Sequence, residues 1–259
     1  MDPRAALAAF DDQLRRNPPA DPGATLERDG DVLRQVGAEG WCGVLWSDLD
    51  AGTADAAIAR QMARFAGRDW EWKHYSYDRP ADLPERLRAA GLSPEPAEAL
   101  LVAEAADVPA ADPPDGVTLV PVADEAGLAA LVGVHERVFG GDHAAFGRAL
   151  RARFAAAPES MAAVLAVAGG QAVSAARIEF ETGTDFAGLW GGGTVPEWRG
   201  RGVFRALVAY RAALATARGY RYLRVDAMPA SEPILRRLGF ERLATTTPYT
   251  YPPGVWSAA

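Results

Sequence analysis

Thr194-Val195-Pro196-Glu197-Trp198-Arg199-Gly200-Arg201-Gly202-Val203-Phe204 is the stretch on which the reading of this chain turns. It joins an apolar run, Phe186 to Val195, to a segment from Gly202 to Arg218 in which Phe204, Leu207, Val208, Tyr210, Arg211 and Leu214 fall in a helical pattern. A strand that passes through a turn of small residues into a helix gathers backbone N–H groups and the positive end of the helix dipole around one spot, and such a spot binds phosphate. Gly200 and Gly202 permit close approach and a positive φ, while Arg199 and Arg201 add charge. The spacing is not that of a Walker loop, because no GxxxxGK[ST] occurs. It is not GxGxxG either, because Arg205 stands where the third glycine would be.

Outward from this turn the elements alternate. Val117 to Val122 reads as a strand, residues 124–139 as a helix with Leu128, Leu131, Val134, His135 and Val138 on one face, and His143 to Ala156 as a second helix. Met161 to Ala168 and Gln171 to Phe180 form a hairpin about Gly169-Gly170. Phe186 to Val195 follows, with glycines at 188 and 191–193 that hint at a bulge. After the helix come a strand, Tyr222 to Ala227, a helix, Glu232 to Leu238, capped by Ser231, and two closing strands near Phe240 to Leu243 and Thr245 to Tyr251. This is a mixed α/β layer structure.

The chain has 259 residues, 49% apolar and 24% charged, the composition of a globular protein. The longest apolar runs are far short of a bilayer span, the N-terminus lacks a signal-peptide core, and the one cysteine, Cys42, has no partner, so a cytoplasmic protein without a membrane partner is expected. The formal net charge is −7, divided as −10 over residues 1–116 and +3 over 117–259. A polyanionic ligand therefore belongs to the second half, and the excess is too small for a nucleic-acid surface. Residues 103–116, AEAADVPAADPPDG, read as an extended linker between a first domain, 1–102, and a second, 117–259.

A shift of 148 positions lays Trp41 to Asp50 on the strand before the glycine turn, the helix around Ile58 on the helix after it, and Arg88-Ala89-Ala90-Gly91-Leu92 on Arg236-Arg237-Leu238-Gly239-Phe240. Ala51-Gly52-Thr53-Ala54 then faces Arg199-Gly200-Arg201-Gly202, so the first half keeps the scaffold pattern without the turn chemistry and one cofactor site per chain is expected. The alternative is a chance match of two α/β periodicities.

TVPEWRGRGVFRAL resembles motif A of the GNAT superfamily of acetyl-CoA-dependent N-acetyltransferases, [QR]xxGx[GA], with Arg199 and Gly202 matching and Phe204 where Gly or Ala is usual. Ile234 to Phe240 is similar to the family's late helix with its closing Gly-Phe pair, and the likeness covers roughly residues 117–251; residues 1–102 resemble a degenerate second copy. The resemblance implies that the fourth and fifth strands of the second domain splay around the acyl chain. Acetyl-CoA would be held by Thr194, Val195, Arg199, Gly200, Arg201, Gly202, Val203, Phe204 and Ser231, with main-chain groups near Val195 on the pantetheine and thioester. Phe204 either packs into the helix core or narrows the site.

Acyl transfer to an amine needs a neutral nucleophile, a donor for the carbonyl oxygen and a proton for the thiolate. The tyrosine that often supplies this proton in the family is replaced by Leu235, which leaves Tyr249, Tyr251 or Ser231 as substitutes, or solvent. Glu179, Glu181 and Asp226 are candidates for the base or for attracting the ammonium, with a salt-bridged role as the alternative. His74, His135 and His143 show no metal-ligand spacing, so no metal is expected. Trp70, Trp72, His74, Tyr75 and Tyr77 alternate as a strand that forms core or a wall of the acceptor pocket. The expected activity is acetylation of a primary amine, most simply of a small molecule, by direct attack on the thioester, in a monomer or homodimer. A protein N-acyltransferase and a non-catalytic acyl-CoA-binding module are the alternatives.

Overall fold

The structure, a computed structural model, describes residues 1–37 and 41–252. The first half holds α1 (Pro3–Phe10), a π-helical turn (Asp11–Arg16), β1 (Ala24–Asp29), β2 (Val32–Gly37), β3 (Gly43–Ser47), α2 (Ala54–Arg64), β4 (Trp70–Tyr75), α3 (Leu83–Ala89), the short β5 (Ser93–Pro94) and β6 (Glu98–Glu104). The second holds β7 (Val117–Pro121), α4 (Glu125–Phe139), α5 (Ala144–Ala156), β8 (Met161–Ala168), β9 (Gln171–Phe180), β10 (Phe186–Thr194), α6 (Val203–Ala217), β11 (Tyr222–Ala227), α7 (Glu232–Arg237) and β12 (Glu241–Tyr251). Local chemistry sets several boundaries. Asp124 caps α4 by accepting the Gly127 N–H, and Asp2 caps α1 through Arg4.

All the strands join one sheet in the order β1-β2-β3-β4-β12-β6-β11-β10-β9-β8-β7, with β5 beside β12. Two parallel pairs sit at equivalent places, β3 with β4 and β10 with β11, each flanked by the helix that connects them. Between these pairs the halves exchange their last strands. β6, from the first half, is antiparallel to β11, with Tyr222 opposite Glu104 and Ala227 opposite Ala99. β12, from the second, is antiparallel to β4, with Thr246 opposite Tyr75 and Tyr251 opposite Trp70. β6 and β12 pair with each other, so they form the seam.

The helical side of the sheet carries two main cores. Trp70, Trp72, Ile58, Phe65, Leu83 and Leu87 pack under α2 and α3, while Leu101, Ile178, Phe180, Leu189, Leu223 and Phe240 pack with α6 and α7. On the opposite side α4 and α5 cover β8 and β9 through Leu131, Val134, Leu150 and Leu165, and α1 sets Ala6 and Phe10 on Tyr75, Leu100, Phe186 and Tyr222. The alternation of each strand places the charged residues of β4, β6, β9 and β11 on this second side.

That side is concave. The Asp21 N–H donates to Gln35 Oε1 of β2 (3.0 Å), its carboxylate accepts from Gln35 Nε2 (2.8 Å), and the same carboxylate lies 3.5 Å from Arg153 of α5. Arg153 in turn pairs with Glu179 of β9 at 3.2 Å. Six strands separate β2 from β9, a span of more than about 30 Å in a flat sheet at roughly 4.8 Å per strand, so the sheet curls until its two wings meet through Asp21.

Three sequence expectations change. Ala103 and Glu104, assigned to the linker, close β6, and Ala105 to Asp107 form a 3-10 turn whose Ala105 N–H donates to the Arg221 carbonyl. The extended segment starts only after these contacts. The two closing strands are one, β12, bent by a bulge between Arg242 and Ala244. The two halves also do not superpose at a single offset: α2 and α6 begin 149 positions apart, but β4 and β11 begin 152 apart, because α6 has 15 residues and α2 has 11. One extra helical turn makes the difference.

The seam makes neither half complete by itself. Residues 109–259 expressed alone should lack the strand between β11 and β12 and aggregate, whereas co-expression with residues 1–108 should give a soluble, co-purifying complex with the circular dichroism of the intact chain. A soluble, cooperatively melting monomer of residues 109–259 would contradict this account.

Candidate cofactor and acceptor site

β10 and β11 start as a parallel pair, with Phe186, Ala187 and Gly188 beside Tyr222, Leu223 and Arg224, and pairing stops there. β10 runs on to Thr194 along β9, and β11 runs on to Ala227 along β6, so the two strands open a V. A bulge between Trp190 and Gly193 bends β10 away. Its geometry depends on Gly191, at φ +55°, whose carbonyl accepts from His135 Nε2 at 3.0 Å; a Cβ there would meet the His135 ring at 2.8 Å. His135 itself is sandwiched flat on Phe146.

Backbone bonding decides which groups face the V. The Val195 N–H donates to the Val173 carbonyl of β9 and so is not free to donate to a ligand, contrary to the expectation for Val195, while the Val195 carbonyl already accepts one bond, from Trp198 N–H. By strand alternation the Thr194 N–H points the other way, into the opening. The Thr194 side chain does not: its hydroxyl is 2.8 Å from Ser174 Oγ in the core. The Thr194 carbonyl accepts from Arg199 Nε at 2.9 Å, so Arg199 braces the end of β10 against the turn.

In the turn, Gly200 has φ +74° and Gly202 φ +92°, the left-handed region. Gly202 is the N-cap of α6, and the first bond of the helix is Ala206 N–H to the Gly202 carbonyl. The N–H groups of Val203, Phe204 and Arg205 therefore have no helical acceptor. Arg201 lies over the Trp198 ring, 4.8 Å from its centroid. Phe204 packs inward: a Cβ on Gly192 would come within 2.9 Å of its ring, and it joins the core of Leu189 and Val208. Ser231, at the head of α7, donates its hydroxyl to the Met228 carbonyl.

The equivalent turn of the first half holds an anion from the chain itself. One oxygen of the Asp50 carboxylate accepts from Gly52 N–H (2.8 Å), Thr53 N–H (2.9 Å) and Thr53 Oγ1 (3.0 Å) at the start of α2. These bonds, that to Thr53 Oγ1 foremost, hold the Asp50 carboxyl below the usual range. At the α6 turn the matching residues are arginines and glycines, and no side-chain carboxylate among the described residues bonds to the amides. The turn that keeps its amides thus fits an anionic pyrophosphate, and the other is already filled.

On the concave side of the V the candidate acids are paired. Asp226, its side chain 2% exposed, is 3.1 Å from Lys73 Nζ and 3.6 Å from Arg224. Glu98 is 3.4 Å from the same lysine. Glu179 lies between Arg177 (2.8 Å) and Arg153 (3.2 Å), and Glu181 pairs with Arg224 (3.1 Å). Burial raises the carboxyls of Glu71, Glu98 and Glu181 above the ordinary range, whereas Arg177 and Arg153 outweigh burial at Glu179 and hold it below. For Lys73 burial favours the neutral amine, but Asp226, Glu71 and Glu98 override it and the pKa lies above that of an ordinary lysine.

Tyr249 is elsewhere. It is buried on the opposite side of the sheet, in the core with Trp72 and Leu87, at right angles to His74 and under Arg88, so it lines the first half and does not reach the V. Tyr251 is at the end of β12 beside Trp70. Leu235 is core, as is Cys42, whose thiol donates to the Gly37 carbonyl. Trp70 and Trp72 belong to the core and Lys73 to the concave face. Aromatic residues dominate the alternation of β4 and mask its polar members, Glu71 and Lys73. Lys73, Glu71, Glu98, Trp190 and Arg224 were missed; the signal was that Lys73 is the only lysine in the sequence and stands inside an aromatic strand.

Among the described residues no group of three His, Cys, Asp or Glu is arranged to hold a metal, and no helix is long and apolar enough to cross a membrane. No protein-family model matches the chain, and no curated protein matches it in sequence. Solved structures do. A GCN5-related N-acetyltransferase from Kribbella flavida aligns over 98% of this chain and 96% of its own, with a TM-score of 0.71 and 21% identity. A conserved protein of unknown function from Staphylococcus epidermidis aligns over 93% and 96%, with a TM-score of 0.65 and 13% identity. A tandem GNAT protein from the clavulanic acid biosynthesis pathway aligns over 89% and 84%, with a TM-score of 0.61 and 16% identity. The chain therefore has the fold of the GCN5-related N-acetyltransferases, along nearly its whole length.

The His135 contact to the bulge makes stability depend on pH. Burial, with Arg177 nearby, lowers His135 to about 4 in the folded protein, while the unfolded chain takes a proton near pH 6.5. Its contribution is complete above that pH and is lost as pH falls from 6.5 toward 4. His135→Gln keeps a donor for Gly191 and removes the titration. Urea unfolding at pH 7 and 4.5 should show wild type losing about 2 kcal/mol relative to this variant over that interval. A gap between the two proteins that does not change with pH would disprove the assignment.

Proposed function

We propose that this protein is an acetyl-CoA-dependent N-acetyltransferase built from two GNAT-like halves, of which the second binds the cofactor. The observation that carries the reading is the V between β10 and β11, opening directly beside the amides at the head of α6. The N–H groups of Val203, Phe204 and Arg205 and the flexible cations of Arg201 and Arg205 bind the pyrophosphate, and Gly200 and Gly202 let it approach. Arg199 acts indirectly by fixing the end of β10. Acetyl-CoA supplies the thioester, which lies in the V between Leu189 to Thr194 and Val225 to Met228.

The Thr194 N–H, aimed into the opening by strand alternation, is placed to donate to the carbonyl oxygen as charge develops on it. The acceptor amine enters from the concave side, where the carboxylates draw it in as an ammonium. Glu71, Glu98 and Glu181, held above the usual carboxyl range, can take its proton. Glu179 and Asp226, both ion-paired, hold Arg177, Arg153, Arg224 and Lys73 in place. With leucine at 235 and Tyr249 in a distant core, solvent protonates the leaving thiolate, whose conjugate acid has a pKa near about 8.5 as a simple thiol.

In this reading the acceptor is a small-molecule amine: the contact of the two wings through Asp21 and Arg153 beside the charged face favours a compact acceptor over a polypeptide. The test is calorimetry with acetyl-CoA, together with thiol release across a set of amines. One equivalent should bind per chain. Gly202→Ala and Gly202→Asp both carry the strain of a left-handed N-cap, about 1 kcal/mol, so their melting points should fall alike. Only the aspartate variant adds a charge at the amides, and it should bind acetyl-CoA at least about 100-fold more weakly than the alanine variant, or about 2.7 kcal/mol. Equal affinity of the two would refute the pyrophosphate site.

A further inference from the structure

One arginine stands in the core without a counter-charge. Arg211, on α6, is 2% exposed and forms no ion pair among the described residues. Its Nε donates to the Leu207 carbonyl and its Nη1 to the Arg177 carbonyl of β9, each at 3.0 Å. The Leu207 carbonyl already takes the helical bond from the Arg211 N–H, so Arg177 is the acceptor that needs the guanidinium. Its Nη2 has no acceptor among the described residues and lies 3.6 Å from the place a Cβ on Gly192 would occupy. Burial, together with the like charge of Arg177, holds Arg211 at about 9, below the ordinary range of an arginine but still a cation at neutral pH. An unpaired charge in an apolar interior is costly, and a neutral amide can make the same bond to the Arg177 carbonyl. The bond alone does not account for the charge.

Its place in the fold does. α6 starts at the end of β10 and runs back beside it, so Arg211, about 13 Å along the helix from Gly202, is level with Gly192 in the β10 bulge. Gly192 belongs to the stretch from Leu189 to Thr194 that borders the thioester in the V. The Phe204 ring covers the same glycine, 2.9 Å from that Cβ position, and packs with Leu189 and Val208, an apolar layer that keeps water from screening the guanidinium. The acids on the strands that border the V each have cations of their own. Glu179 has Arg177 and Arg153, Glu181 has Arg224, and Asp226 has Lys73 and Arg224. At an effective dielectric of about 20, a full charge changes an ionisation by about tenfold or more out to roughly 10 Å.

We propose that Arg211 is a fixed cation that stabilises the sulfur of CoA as a thiolate while the acyl group leaves it, in place of a proton donor. This rests on the acetyltransferase reading and fills a gap in it, since Leu235 is packed in the same core as Phe204 and Tyr249 lies in the core of the first half. As the amine nitrogen bonds to the carbonyl carbon, the C–S bond breaks and its electron pair goes to sulfur. The proton of the amine goes to a carboxylate of the concave face, and solvent protonates the sulfur after it has left. Arg211 keeps its own protons throughout. The glycine at 192 has a part in this, because a side chain there would push Phe204 out of the layer that insulates the charge.

The test titrates the thiol of CoA bound to the full-length chain by the ultraviolet absorbance of its thiolate, with free CoA as the reference. In the wild type the bound thiol should ionise at least about one pH unit below free CoA, a tenfold shift. Arg211→Gln keeps a donor for the Arg177 carbonyl and removes the charge. It should bring the bound thiol back to the value of free CoA or above it and cut kcat about tenfold, while the melting temperature and the affinity for acetyl-CoA stay close to wild type. A wild-type thiol that titrates like free CoA or above it would overturn the proposal, and that measurement stands whether or not the variant folds. So would a glutamine variant whose bound thiol titrates as in the wild type, whatever its kcat, because a merely structural role leaves the thiol unmoved. Calorimetry of acetyl-CoA with the wild type reports on the acetyltransferase reading itself: no binding there defeats that reading, whereas binding with an unshifted thiol defeats only the role of Arg211.

Discussion

The antiparallel ladder between β6 and β12 is the contact on which the rest of this molecule depends. Each of these strands is contributed by one half and is surrounded by the other, and main-chain hydrogen bonds along both edges carry the sheet from β4 to β11 without a break. Because backbone pairing fixes register to a single residue, it also fixes how the two halves face each other. Lys73 can reach Asp226 only because β4 is held at a set distance from β11 by the two intervening strands. The strong curl that brings Asp21 to Arg153 works on the same sheet and makes its charged surface concave.

The two helix heads show one local solution put to two uses. A turn that leads from a strand into a helix leaves amides in need of an acceptor. At α2 the need is met internally by Asp50, whose three short bonds make a rigid, anion-filled cap. At α6 two left-handed glycines and neighbouring arginines leave it unmet. In the proposed reading this difference makes one strand-helix-strand unit scaffold and the other the seat of a phosphate ligand.

Much of the second half was legible from sequence because its signals are local. β8, β9 and β11 have the limits that apolar alternation and the Gly169-Gly170 turn suggest, and the glycine turn adopts the positive φ values that its composition implied. What depends on distant partners was not legible. The linker boundary failed at Ala103 and Glu104 because a strand that pairs with a segment more than a hundred residues later carries no local mark of it. Val195 looked available until the register of β9 showed its N–H already used by Val173. Tyr249 was proposed because of its chemistry and excluded by its side of the strand, a matter of parity set by β4. The charged basin was invisible for a similar reason: its members come from β4, β6, β9 and β11, and each alone resembles an ordinary solvated residue.

The exchanged seam also bears on how the chain is made. During synthesis from the N-terminus, β4 and β6 emerge early, but the strand that belongs between them, β12, is the last of all, and the other neighbour of β6, β11, is little earlier. Until then β4 has one unpaired edge and β6 has two, and the aromatic core around Trp70 and Trp72 lacks the cover of Tyr249. Such edges are the natural templates for wrong pairing with other chains. The nascent protein therefore passes through a long interval in which its earliest strands must be kept from association, and its maturation, unlike that of two independent domains in series, is a single late event.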